Sequence, residues 1–367
     1  MKALLIYLLK FGLRILYAPM KLFKTKKRIV YLSRQSNEKS LDMSMLEKAI
    51  AQQDSQVEQV FRLKMIDDGV GAKIKYCFHL IGDMYYLATS EVAILDTYSI
   101  PVSCLKHKKR LTVIQIWHAL GALKKFGLQS VGTKEGRDEK VSRAMSMHKN
   151  YDFVISPSAA TAEFYKEAFG VTNDKIKICP LPRVDFMTDG ETRASEFYSL
   201  NPGFGGKKLA LYVPTFRDRE AYVAQMLKTE FEDLEDYKLI ISTHPLSKVK
   251  KDEAYTPNGD FSSLDLMKIA DIIITDYSAC AFEASLLMKP LYFFVPDYNE
   301  YMKDRGINID IREEMAGAVF EDAADLVSSI KNDEYNRDML FDFRQKYVET
   351  KNSSNTDILA KFVLMYV

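Results

Sequence analysis

Short apolar runs rich in Val, Ile, Leu and aromatic residues alternate along the chain with longer stretches in which apolar positions recur every three or four residues. The short runs read as buried strands and the longer stretches as helices. Strands are expected at 28–33, 60–63, 92–95, 111–117, 153–156 and 176–179. Helical periodicity covers 41–50, 159–169 and a piece around 187–200, while 84–90 fits either type. Strand-like runs return at 209–213, 237–242 and 270–274, followed by a helical pattern at 280–288. Such alternation predicts parallel sheets in an α/β fold. The best linker is Asn201-Pro202-Gly203-Phe204-Gly205-Gly206, where proline and glycine break the periodicity. It separates a first domain, 29–200, from a second, 207–345. The tail 346–367 ends in an apolar helical stretch, 357–367, able to cross back onto the first domain. No internal repeat or low-complexity tract is visible.

Chemistry gathers where the apolar runs stop. The run 111–117 breaks at His118 and is followed by glycines and by Lys124 and Lys125. Three later runs break into Pro214-Thr215-Phe216-Arg217, into Thr243-His244-Pro245 and into Thr275-Asp276-Tyr277-Ser278-Ala279. Open α/β sheets bind ligands at the carboxyl ends of their strands. Ser278 is the expected N-cap of the helix at 280–288. The unpaired amides and positive dipole end of a helix start favour a phosphate, and Arg217 can clamp one bidentately. Each segment alone also has an ordinary reading as a turn or a packed side chain. In this order, over two α/β halves, they imply a charged, nucleotide-type donor.

At these residues the sequence resembles the CDP-glycerol glycerophosphotransferases of teichoic-acid synthesis. The matching segments are Trp117-His118-Ala119 with its lysines, Pro182-Arg183-Val184-Asp185, Pro214-Thr215-Phe216-Arg217, His244-Pro245 and Thr275-Asp276-Tyr277-Ser278-Ala279. Ala119, Ala279 and Leu181 stand where the family has glycine, serine and glycine. The resemblance implies a GT-B fold, two Rossmann-like domains facing a cleft, with the donor mainly on the second. It also implies transfer of a polyol phosphate from a CDP-linked donor to a hydroxyl of a lipid-linked saccharide or polyol-phosphate acceptor, releasing CMP without an obligatory cofactor or metal. Glycerol phosphate is favoured; CDP-ribitol as donor, or a GT-B glycosyltransferase using a nucleotide sugar, are the alternatives. His118 is the expected general base, because a neutral imidazole, with a pKa of about 6.5, accepts a proton where charged lysines cannot. Arg217, Thr215, His244, Asp276, Ser278 and Ala279 are the expected donor-binding residues, with His244 also catalytic. Lys124, Lys125, Arg183 and Asp185 are candidates for the acceptor or the cleft.

Composition narrows the picture further. The 367 residues, 47% apolar, suffice for two cores. A net charge of +1 argues against a general nucleic-acid binder. No Gly-x-Gly-x-x-Gly and no P-loop follows the first strand, and Cys77, Cys104, Cys179 and Cys280 lack ligand spacing. A reducing cytoplasm is the expected compartment. The total charge hides one asymmetry: residues 1–28 hold eight Lys and Arg and no acid. On a helix, Lys10, Arg14 and Lys21 fall in one sector, with Leu8, Leu9, Leu16 and Phe23 mostly elsewhere. Two charges and Pro19 disfavour a transmembrane span, and no cleavable signal peptide is evident. The expectation is a basic amphipathic helix on an anionic membrane surface, placing the protein peripherally at the cytoplasmic face of the plasma membrane. The other readings are a helix packed on its own domain and a noncatalytic membrane scaffold.

Overall fold

The computed structural model describes residues 2–66, 69–134, 136–215, 220–243, 247, 252–350 and 353–367. It divides into two compact units, each built on one parallel sheet. The first comprises the chain to Leu120, Lys125–Asp185 and Glu349–Val367. Its strands are β1 (Arg28–Ser33), β2 (Glu58–Leu63), β3 (Val92–Leu95), β4 (Thr112–Gln115), β5 (Phe153–Ser156) and β6 (Ile176–Ile178), in the order β2-β1-β3-β4-β5-β6. Every residue of β1 and β3 is buried, as expected for continuous apolar runs in a sheet covered on both faces. The chain steps outward from β1 to β2 and then crosses to β3, so the strand order reverses between β1 and β3. Of residues 84–90, compatible with either element type in the sequence, 84–89 end the helix Val70–Thr89 and Ser90 caps it. Tyr76, Leu80, Asp83, Met84 and Leu87 are buried along it at helical spacing.

The second unit comprises Gly121–Lys124 and Phe186–Val348. Its strands β7 (Lys208–Val213), β8 (Tyr237–Ile241), β9 (Ile272–Thr275), β10 (Leu291–Phe294) and β11 (Val319–Phe320) take the order β11-β10-β9-β7-β8. Here the reversal lies between β7 and β9. The glycine-rich segment 201–206 is not the division between the units, which falls at Asp185 and Phe186. Asn201 exchanges two hydrogen bonds with the backbone of Asn258, and Phe197 packs against Phe204 and Phe261. The expected linker is thereby part of the second unit. The helical piece around 187–200 is two helices, Arg183–Thr188 and Ala194–Leu200, with Gly190 between them at φ +76°.

The first unit holds both chain ends. The helix Asn355–Leu364 packs on the helix Leu41–Gln53. The helix Lys2–Met20 lies beside Val70–Thr89 and buries Lys10, Leu13 and Tyr17. Lys10 Nζ donates to the Ala144 carbonyl at 2.8 Å and to Ser146 Oγ at 2.7 Å, and the Tyr17 hydroxyl meets His107 Nδ1 at 2.8 Å. Lys10 thus faces the protein, while Leu8, Phe11 and Ile15 are exposed. Among the described residues, no helix is long and apolar enough to cross a membrane.

Candidate active site

The His118 site is assembled at the carboxyl edge of the first sheet. The expected strand 111–117 stops at Gln115, because Trp117 adopts φ +60°, a left-handed conformation costly for a bulky residue. The strain is held in place from several sides. Gln115 accepts the Trp117 amide at 2.9 Å and anchors itself by donating to the Thr97 carbonyl. The indole stacks on Phe126, with ring centroids 4.7 Å apart, and meets Phe169 edge-on. The turn delivers His118 beside the end of β3, where its Nδ1 lies 2.9 Å from the Asp96 carbonyl oxygen. A carbonyl only accepts, so Nδ1 carries the proton and the lone pair of the neutral ring resides on Nε2. That is the tautomer a general base needs. The Asp96 carboxyl accepts from Ser33 Oγ at 2.9 Å; burial pushes its pKa up to about 6, against the lowering effect of that bond.

Arg183 and Asp185 serve this unit in different ways. Arg183 grips Asp42, at the start of the helix Leu41–Gln53, through its backbone amide at 2.9 Å, Nε at 2.8 Å and Nη2, which also reaches the His118 carbonyl at 3.1 Å. It thus fixes the backbone that carries the imidazole. Asp185 accepts from the amides of Asn355 and Thr356 and from the side chains of Ser354, Asn355 and Thr356. Burial opposes its ionisation, but these bonds outweigh that and hold its carboxyl below the usual range. Its visible task is to cap the C-terminal helix.

The second unit gathers Thr215, Asp276 and Lys124. β7 and β9 lie side by side, and the loops at their carboxyl ends are joined by the Thr215 amide donating to Asp276 Oδ1 at 2.8 Å. Lys124 Nζ lies 3.4 Å from Thr215 Oγ1. Its segment is pinned by Asn308, which donates to the carbonyls of Ala122, Leu123 and Lys124. Gly121 has no room for a side chain, since a Cβ there would lie 2.4 Å from the Phe282 ring. Lys125 is exposed and belongs to the first unit. Ser278 is not the N-cap: the helix Cys280–Leu286 begins after Ala279, and Ser278 Oγ accepts the Cys280 amide at 3.3 Å. Tyr277 is fully buried, stacked on Tyr301 at 3.6 Å. Phe216, Arg217, His244 and Pro245 lie outside the described residues.

Sequence reasoning missed Arg34, Thr97, Tyr98, Arg137 and His148, which surround His118 in one cavity of about 270 Å³. Arg34 was legible only as part of a polar loop, and the others carried no motif. Their signal is the strand order, which puts the ends of β1 and β3 next to each other.

A family model described as CDP-Glycerol:Poly(glycerophosphate) glycerophosphotransferase matches residues 16–365, nearly the whole chain. The chain belongs to this family. It is an enzyme, a CDP-polyol phosphotransferase. It is 31% identical over 335 residues to the teichoic acid ribitol-phosphate primase of Bacillus spizizenii, covering 86% of this chain and 85% of that protein. It is 30% identical over 289 residues to the teichoic acid glycerol-phosphate primase of Bacillus subtilis, covering 76% and 75%. Its fold matches the wall teichoic acid polymerase TagF with a TM-score of 0.75 at 18% identity, over 99% of this chain and 96% of that one. Of the departures from the glycerophosphotransferase pattern, Ala119 has no left-handed φ and therefore carries its methyl without strain. Leu181 is buried in the core of the first unit.

Proposed function

We propose that the protein transfers glycerol phosphate from CDP-glycerol to a hydroxyl of a lipid-linked acceptor, with His118 as general base. The observation that carries this reading is the Nδ1 bond to the Asp96 carbonyl, which sets the tautomer whose lone pair is on Nε2, the one a general base uses. His118 takes the hydroxyl proton as the acceptor oxygen attacks the phosphorus bearing the polyol. The bond from that phosphorus to the CMP oxygen breaks, and CMP leaves with the electron pair. Thr215, Ser278 and Ala279, at the carboxyl ends of β7 and β9, with Arg217 and His244, hold the donor pyrophosphate and offset its developing charge, while Asp276 orients Thr215. Two parallel sheets, each with a reversal of strand order, support the GT-B reading.

A second reading, CDP-ribitol as donor, is favoured by the likeness to a ribitol-phosphate primase over 86% of the chain. Competition between CDP-glycerol and CDP-ribitol, with mass spectrometry of the product, separates the two. His118→Ala should lower turnover by about two to four orders of magnitude in a folded protein. Near-normal turnover would remove His118 from the chemistry. We place the protein peripherally on the cytoplasmic face of the plasma membrane. The support is the outward apolar side of the helix Lys2–Met20, bordered by the basic residues that follow it.

A further inference from the structure

We propose that the cavity beside His118 is a phosphate site that holds the acceptor by its terminal phosphoester and presents the polyol hydroxyl to the imidazole. The inference rests on the phosphotransfer reading above and adds to it a ligand class for the first unit. The cavity, of about 270 Å³, opens at the carboxyl edge of the first sheet, where the strand order reverses. Small ligands settle at such a point in open α/β sheets. Its walls come from the ends of three strands: Arg34 after β1, Thr97 and Tyr98 after β3, and His118 after β4; Arg137 and His148 complete it. The end of β1 and the loop after it are tied to the loop after β3 by Ser33 on Asp96 and by the Arg34 amide on Thr97 Oγ1 at 3.2 Å, so the cradle is built before a ligand arrives.

Its charge is one-sided. The guanidinium groups of Arg34 and Arg137, about a hundred positions apart in the chain, both pack on the Tyr98 ring, 5.3 and 5.9 Å from its centroid. Among the described residues, no carboxylate lines the cavity. Of the buried acids nearby, Asp42 is paired with Arg183, and Asp96 accepts from Ser33 through Oδ2 while its Oδ1 is buried without a hydrogen-bond partner. Arg34 Nε is buried without a hydrogen-bond partner. Two like charges brought together and a buried donor left unmatched both cost free energy, and an oxyanion removes both costs. His148, buried beside them and hydrogen-bonded to the Tyr151 hydroxyl at 3.0 Å, stays neutral, so the arginines alone set the charge. In a glycerol phosphate unit three carbons separate the phosphoester oxygen from the terminal hydroxyl. A phosphate on Arg34 and Arg137 therefore leaves that hydroxyl within the same cavity as His118. The site would distinguish an acceptor ending in a polyol phosphate from a plain alcohol.

The test uses the full chain with saturating CMP in the donor site and glycerol 3-phosphate as the calorimetric probe. Arg34→Gln and Arg137→Gln should each weaken glycerol 3-phosphate by about tenfold or more, the loss of one charged hydrogen bond, while CMP affinity stays within about twofold. Because Arg137 is exposed, its variant serves even where Arg34→Gln unfolds. In turnover assays, KM for an acceptor ending in glycerol phosphate should rise by a similar factor with kcat changed less, and KM for a phosphate-free alcohol should not move. Unchanged glycerol 3-phosphate affinity in both variants overturns the proposal, as does an equal loss of CMP. Displacement of glycerol 3-phosphate by phosphatidylglycerol vesicles would assign the cavity to a lipid headgroup and overturn the acceptor assignment. If the wild type turns over neither CDP-glycerol nor CDP-ribitol, the phosphotransfer reading fails, while the titration still decides whether the cavity binds phosphate.

Discussion

His118 depends on neighbours that only the folded chain supplies. Its strand is readable because an apolar run ends there, but its tautomer is set by a carbonyl 22 positions earlier and its backbone by Arg183, 65 positions later. The Arg183 and Asp42 side chains are 13% and 2% exposed, so this is a buried ion pair. Removing one partner strands the other charge. Arg183→Ala should therefore lose about 3–5 kcal/mol in urea unfolding, and Asp42→Asn placed in that background should restore part of it. An equal loss in single and double variants would show that the pairing is not what matters. Arg34, although it directly follows the run 28–33, and His148 stayed unread for the same physical reason: each gains its meaning from partners distant in sequence.

At the scale of elements, the apolar pattern located most strands to within a residue or two, since a strand buried on both faces must be apolar throughout. It missed β10, although that run is as long and apolar as β3, and it missed β11, whose two residues are too short to make a pattern. The N-terminal helix shows a different limit. Amphipathicity reveals that a helix has two faces but not which one the protein covers. Lys10 lies inward because the carbonyl of Ala144, the last residue of the helix Glu139–Ala144, is a good acceptor for an ammonium group. The outward side carries Leu8, Phe11 and Ile15, exposed by 61, 63 and 58%. Replacing these three with Gln should abolish flotation with anionic liposomes while leaving the melting temperature nearly unchanged, because none of them is buried in the protein. Flotation equal to wild type would place the membrane contact elsewhere.

Across the whole molecule, the two units repeat one device. In each, an Asp just past the third strand bonds the carboxyl end of the first or the loop that follows it: Asp96 with Ser33, the last residue of β1, and Asp276 with Thr215, two residues after β7. Each pairing closes the carboxyl edge where the strand order reverses. No sequence repeat announces this, because the two halves share a topology rather than residues. Stability against pH is also a property of the whole chain. Burial pulls His148 from its ordinary 6.5 down to about 3, so between those values the unfolded state binds a proton that the folded state refuses. Falling pH through this window therefore costs stability, by up to about 1.4 kcal/mol per pH unit for a single proton. His79, lowered to about 4, acts in the same direction. Asp83 and Asp96, raised to about 6, act oppositely between about 4 and 6, since the folded state there holds the extra protons. His148→Asn tolerates the local φ of +60° and removes one titration. Its unfolding free energy should fall less steeply than the wild type's from pH 6.5 to 4, and parallel curves would mean that His148 protonates in the folded state.

The sequence by itself determined most of the strands, the alternation that makes the sheets parallel, the ordered motifs of the family and His118 at a strand end. These follow from short-range rules: apolar periodicity, turn residues, and side chains placed directly after a run. Tertiary structure alone decided that the glycine-rich segment lies inside the second unit and that the N-terminal helix turns Lys10 inward. It alone brought Arg34, Arg137 and His148 to one cavity beside His118. Each of these outcomes is a contact between residues far apart in the chain, set by strand order and by which faces are covered, and no local pattern encodes either.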